Sequence, residues 1–348
     1  MSKREKIISV CALVLLAIAA LSLTLVLVFK KETRVKEIYG YFDTVTVLRD
    51  FSGASEGEFA ERCRCVSDIF ESYHRLSDIY NEYEGINNLK TLNDNAGRGA
   101  VKIAPELMEL LIFAKDIHAL TDGEVNVAMG GVLAEWHGWR EGMSNGYSPA
   151  LPSQELLDGL FAHSDIDSLL LDLENMTAEL ADSEMSLDLG ALAKGFATEK
   201  ARLRLISLGA DNFVIDAGGN LAVIGKGNGK GFKVGIKDPK SPQTTIASEE
   251  IIAKDTSVVT SGDYERYCLL DGVRYHHIID KDTRLPSEHF SSVTVVTENS
   301  ALADALSTAL FCTDTENGRQ IIERAEEKYG INISVIWIDG EGKISRRD

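Results

Sequence analysis

The stretch SLDLGALAKGFA, residues 186–197, puts a carboxylate, a small-residue turn and a lysine at the mouth of a predicted helix. It reads as strand, turn, helix. Asp188 ends the strand, Gly190 and Ala191 let the backbone approach a ligand closely, and Lys194 follows one helical turn on. Such an arrangement suits an anion, because the N–H groups of a first helical turn and the lysine both present positive charge. Ordinary strand-to-helix turns carry similar residues, so the rest of the chain must decide.

Working outward, residues 169–187 read as short strands and 191–208 as the helix after the turn. Residues 212–236 read as a strand, a Gly-Gly turn, a strand, a glycine-rich hairpin and another strand. Strands continue through 251–260, 267–279 and 292–297. Helices follow at 300–311 and near 318–328, then a hairpin turning at Asp339-Gly340. Toward the N-terminus, residues 39–48 read as a strand, 56–83 as a long amphipathic helix, and Pro105–Leu120 and 153–161 as further helices. Strands joined mostly by tight turns predict an α+β fold: an antiparallel-rich mixed sheet with flanking helices in a single domain, rather than a regularly alternating parallel sheet. No internal repeat or low-complexity tract interrupts it.

The uncharged run 7–29 has 23 residues, about 34 Å as a helix and long enough to cross a bilayer. No small-residue cleavage site follows it, so the expected organisation is a short tail (1–6), a transmembrane anchor (7–29), a linker (30–38) and one folded domain (39–348). Basic residues flank the run on both sides, so charge gives little orientation. Net charge is −18; seven basic and two acidic residues in 1–36 leave 29 against 52 beyond, a net of −23. A surface so acidic disfavours nucleic acid and anionic lipid as partners. The five cysteines, at 11, 63, 65, 268 and 312, show no metal-knuckle spacing.

Four further stretches carry polar chemistry. ALADALSTAL, residues 301–310, sets Asp304 and Thr308 four apart on one helix face, two oxygens of the kind a hard cation takes. GVRYHHIID, 272–280, alternates faces, so His276 and His277 cannot share one pocket; either could be a base. TSGDYERY, 260–267, and DAGGN, 216–220, are glycine turns with hydroxyl, carboxylate or amide groups.

Taken in chain order, these five stretches resemble the FAD:protein FMN transferases, the ApbE-like flavin transferases, from Tyr41 to the end of the chain. NEYEGINNLKTLN and TDGEVNVAMGGVLAEW are similar to that family's flavin-side segments. The resemblance implies a Mg²⁺-dependent reaction with FAD as substrate, in which a Thr or Ser hydroxyl of an acceptor protein takes the FMN moiety and AMP leaves. It also implies roles. Asp304 and Thr308, with backbone oxygens of Ala191 and Ala301, hold Mg²⁺, and His277 is the base. Phe42, Tyr83, Glu124, Val125, Asn126, Asp188, Lys194, Ile278 and Ile279 lie against FAD. Three departures stand out: Gly123-Glu124-Val125-Asn126 replaces the usual Gly-x-Phe-Asp, Phe42-Asp43-Thr44 replaces Met-Gly-Thr, and Asp280-Lys281 replaces Asp-Pro. Implied acceptors are extracytoplasmic or membrane redox proteins, which places the domain outside the cytoplasmic membrane. Hydrolysis of the FAD pyrophosphate and simple flavin binding by a tethered module are the competing readings.

Overall fold

The computed structural model describes residues 33–241 and 247–348. The apolar run 7–29, expected as a transmembrane anchor, lies outside the described residues, and among these no helix is long and apolar enough to cross a membrane. In chain order the elements are β1 (Arg34–Tyr41), β2 (Thr44–Asp50), α1 (Glu56–Ser77), α2 (Leu89–Asp94), β3 (Val101–Lys102), α3 (Pro105–Leu120), α4 (Gly130–Ser144) and α5 (Gln154–Phe161). Then come β4 (Leu169–Asp172), β5 (Thr177–Leu180), α6 (Ala193–Ser207), β6 (Phe213–Ala217), β7 (Asn220–Ile224), β8 (Phe232–Lys237), β9 (Ala247–Ala253) and β10 (Ser257–Gly262). The chain closes with β11 (Tyr267–Leu270), β12 (Val273–His276), β13 (Ser292–Thr297), α7 (Ser300–Ala309), α8 (Thr315–Tyr329), β14 (Ser334–Ile338) and β15 (Ile344–Arg347).

Eight strands form the main sheet in the order β1-β2-β6-β7-β10-β13-β14-β15. Every ladder in it is antiparallel. Central strands bury both faces, which is why they read as continuous apolar runs. On β6, Phe213, Ile215 and Ala217 join the main core under the helices, while Val214 faces a smaller core with Val223 and Val258 beneath the β8–β9 hairpin. Sheet and helices thus make the predicted α+β layers.

Two expectations change at the N-terminal edge. Residues 39–48 are two strands rather than one, because Phe42 and Asp43 both adopt left-handed φ values, 54° and 53°, and turn the chain back on itself. Part of the expected linker is strand as well: Arg34 pairs opposite Asp50 and Ile38 opposite Thr46. Helix α1 starts with a Ser55/Glu58 capping box and stops at Ser77, short of residue 83. Its buried Arg62 binds Asp50 at 2.6 Å and donates to Gly209 O at 3.1 Å, so the charge that α1 buries is paired. Cys63 on the same helix is buried, which pushes its thiol up to about 11 and makes it inert.

Candidate active site

The site is built where turns at one end of the sheet meet the starts of α6 and α7. Gly218, at φ 56°, sits so close to the β1–β2 turn that a Cβ there would lie 1.9 Å from Thr44 Oγ1. Gly219 O accepts from Thr260 N at 3.0 Å, and Ser261 Oγ lies 2.8 Å from Ser307 Oγ on α7. DAGGN and TSGDYER are thereby tied to the helix that carries Asp304. Asn220 serves that frame: its Oδ1 accepts from Ser300 Oγ at 2.7 Å at the start of α7. Buried Glu199 on α6 adds a carboxylate at the same helix start, accepting from Ser300 N at 2.9 Å and from Arg202 through both oxygens.

Helices α6 and α7 cross over Gly195. A Cβ at that position would stand 2.3 Å from Asp304 Cβ, so only glycine permits the approach. Gly195 N donates to Asp304 Oδ2 at 2.8 Å and Lys194 Nζ to Oδ1 at 3.1 Å. Both carboxylate oxygens are thus oriented, and Lys194, the sequence candidate for a phosphate contact, is engaged with Asp304. Thr308 Oγ1 makes only a long 3.4 Å bond to Asp304 O, so its hydroxyl is weakly committed. Among the described residues no three His, Cys, Asp or Glu side chains gather into a metal site. A cation at Asp304 would therefore draw on one carboxylate, the Thr308 hydroxyl, backbone oxygens of Ala191 and Ala301, water and ligand oxygens. That all-oxygen, low-charge set fits Mg²⁺, which keeps several waters and shares phosphate oxygens with its ligand.

The histidine ambiguity resolves on hydrogen bonding. His276 is buried, its Nε2 donates to Ser287 O at 2.9 Å, and its Nδ1 accepts from Ile278 N at 3.2 Å. Both ring nitrogens are used for structure. His277, half-buried, keeps Nδ1 sealed from solvent without a hydrogen-bond partner. Burial, then the charges of Arg266, His276 and Arg140, hold its pKa well below the usual range, a backbone contact from Arg266 acting the other way. Asp280 is no partner for the histidine: it accepts from Asp282 N and Thr283 N and braces its own turn.

Asp188 shares its charged neighbours, Arg140 and Arg266, with His277. Its N–H donates to Val127 O at 2.8 Å and its carboxylate accepts from Gly190 N at 2.7 Å. Burial raises its pKa, and the Gly190 bond and the charges of His137, Arg266 and Arg140 oppose the rise. Segments 126–130 and 186–188 run together, Met129 bridging to Ser186. Other expected flavin-side residues are placed as follows. Asn126 holds the frame with its side chain, donating to Ser164 O and accepting from Ala128 N. Val125, Ile278 and Ile279 are buried, Ile279 in a small aromatic cluster with Trp136 and Trp139. Phe42 packs edge-on against Phe70 and His74.

Glu124 and Tyr83 line two separate clefts. Glu124 lines a cleft of about 350 Å³ with Lys281, His289 and Cys312. Its Oε1 is 3.4 Å from Lys281 Nζ, its Oε2 is buried without a partner, and burial pushes its pKa up to about 7 despite the lysine. Tyr83 donates to Asp78 Oδ2 at 2.7 Å and lines a cleft of about 380 Å³ with Asn87, Thr91 and Asp94. Neither cleft is lined by His277, Asp188 or Asp304. Sequence reading missed Arg140, which α4 delivers to Asp188 and His277; a single arginine in an apolar helix carries no signal of its own.

Comparison with known proteins agrees with this geometry. The ApbE family profile matches residues 42–332. The FAD:protein FMN transferase of Treponema pallidum is 32% identical over 296 residues, 80% of this chain and 79% of that protein. That of Klebsiella pneumoniae is 30% identical over 264 residues, 75% of this chain and 79% of that one. The crystal structure of the ApbE protein of Thermotoga maritima superposes with a TM-score of 0.77 at 27% identity, covering 91% of this chain and 97% of its own. A frame of glycine turns around Asp304, a histidine with a free ring nitrogen, and a profile match across nearly the whole described chain lead to one assignment: the protein is a member of the ApbE family.

Proposed function

We propose that the protein transfers the FMN moiety of FAD to a Thr or Ser hydroxyl of an acceptor protein and releases AMP. The observation that carries this reading is His277 Nδ1, buried and unpartnered near Arg140 and Arg266. Simple flavin binding has no use for a sealed, uncommitted ring nitrogen, whereas phosphoryl transfer to a hydroxyl needs a proton acceptor at the nucleophile. The low pKa keeps the ring neutral at physiological pH, the form that accepts a proton. The acceptor oxygen forms a bond to the flavin-side phosphorus, the P–O bond to the AMP phosphate breaks with its electron pair, and the hydroxyl proton passes to His277. Asp304 and Thr308, with backbone oxygens of Ala191 and Ala301, would hold Mg²⁺, which supplies charge neutralisation on the diphosphate. Gly195 and Lys194 keep the Asp304 carboxylate aimed throughout.

The acceptor is read as an extracytoplasmic or membrane redox protein, with the catalytic domain outside the cytoplasmic membrane and residues 7–29 as its anchor. Tethering near the acceptor raises effective concentration. A C-terminal reporter active only in the cytoplasm would refute that location. For the chemistry, the full chain in mild detergent is incubated with FAD, Mg²⁺ and a threonine-bearing acceptor, and the acceptor mass is measured. An FMN adduct that disappears in Asp304→Ala is expected. AMP and FMN without an adduct would replace transfer by hydrolysis, and intact FAD would reduce the role to binding.

A further inference from the structure

Arg140 and Arg266 bring two guanidinium groups to one place from distant parts of the chain. Arg140 rises from the last turns of α4, and the one hydrogen bond its guanidinium makes among the described residues, to His276 O, is a long 3.4 Å. No carboxylate lies within 4.0 Å of it among those residues, and its guanidinium is largely withdrawn from water. Arg266 immediately precedes β11, where Tyr267 pairs with His276, so the ladder sets Arg266 beside His277. Its ion pair with Asp43 is a loose 3.8 Å between exposed groups. Each arginine feels the other, and both act on Asp188 and His277.

Two like charges brought near each other around His276 and His277, one of them half-buried, are costly unless an anion joins them. Asp188 answers them only at longer range, and Lys194 is already matched by Asp304 at 3.1 Å. The arginines are therefore the uncommitted positive charge of the site. Guanidinium groups also present planar paired donors that suit phosphate oxygens. We propose that Arg140 and Arg266 form the cradle that binds the diphosphate of the flavin dinucleotide, holding it beside His277. This rests on the function proposed above and names the residues that would recognise its substrate.

The test is a binding measurement without turnover. Affinities for FAD and for riboflavin, which has no phosphate, are measured with the full chain and with Arg140→Gln and Arg266→Gln, in EDTA and at two salt concentrations. Expected is a loss of about 10- to 100-fold for FAD in either variant, the size of one charge-assisted hydrogen bond. Riboflavin affinity stays within about twofold, and the salt dependence for FAD becomes shallower. Equal losses for both ligands, or no loss for either, would overturn the cradle. If Arg140→Gln fails to fold, Arg266→Gln decides, since that side chain is 57% exposed. A phosphate-selective loss in a protein that never transfers FMN would leave the cradle standing and remove the proposed function; normal FAD binding in the variants of an active transferase would do the reverse.

Discussion

Replacing Gly195 by alanine tests whether the α6–α7 crossing is what aims Asp304. The new Cβ would stand 2.3 Å from Asp304 Cβ, 2.9 Å from Cγ and 2.8 Å from Oδ2, where ordinary contact begins near 3.4 Å. The helices must therefore separate by about 1 Å in a close-packed interior. Overpacking of this kind costs about 1–3 kcal/mol. Separation also stretches the 2.8 Å bond from Gly195 N to Asp304, and losing a bond to a charged group costs a further ~1.5–3 kcal/mol. Alanine returns about 1 kcal/mol of helix propensity. The net is a destabilisation of about 1.5–5 kcal/mol, read as a fall of roughly 2–8 °C in thermal midpoint. Gly138, inside α4 with nothing within 4 Å of a built Cβ, is the control. There the same substitution should stabilise by about 0.5–1 kcal/mol. A Gly195→Ala protein as stable as the parent would refute the steric account.

The two neighbouring histidines should separate cleanly: His276→Ala loses about 1–3 kcal/mol in denaturant unfolding, because Ser287 O and Ile278 N lose their buried partner. His277→Ala should keep its thermal midpoint within about 2 °C, having no bond at Nδ1 to lose, yet transfer FMN about 10²- to 10⁴-fold more slowly; a large stability loss there would make it structural. Glu124, raised to about 7 from an ordinary 4.5, keeps its proton longer folded than unfolded. Its contribution to stability therefore declines as pH rises from about 4.5 to about 7. Glu124→Gln should accordingly gain about 2 kcal/mol over the parent at pH 8 and little at pH 4, and equal gains at both pH values would contradict the burial argument. Glu199→Gln should cost about 2–4 kcal/mol in chemical unfolding, since it unpairs Arg202 and weakens the start of α7; a neutral outcome would show that the buried pair has little net value.

Sequence alone determined the elements whose cause is local. Proline opens α3, the Ser153 hydroxyl caps α5, and left-handed glycines turn β6 into β7. The four-residue spacing of Asp304 and Thr308 places both on one face of α7. The split of residues 39–48 at Phe42-Asp43 was not legible, because non-glycine residues rarely adopt the left-handed conformation unless surrounding packing holds them there. Tertiary structure decided which candidate side chains are engaged and which are left free. Lys194 meets Asp304 across 110 residues, and Arg140 reaches His276 across 136. His276 and His277 differ only in which ring finds partners from another segment. Periodicity and turn chemistry act within a few residues, so they leave a record in the sequence. Which charge is spent, and which nitrogen is free, depends on groups that only folding brings within about 3 Å of each other.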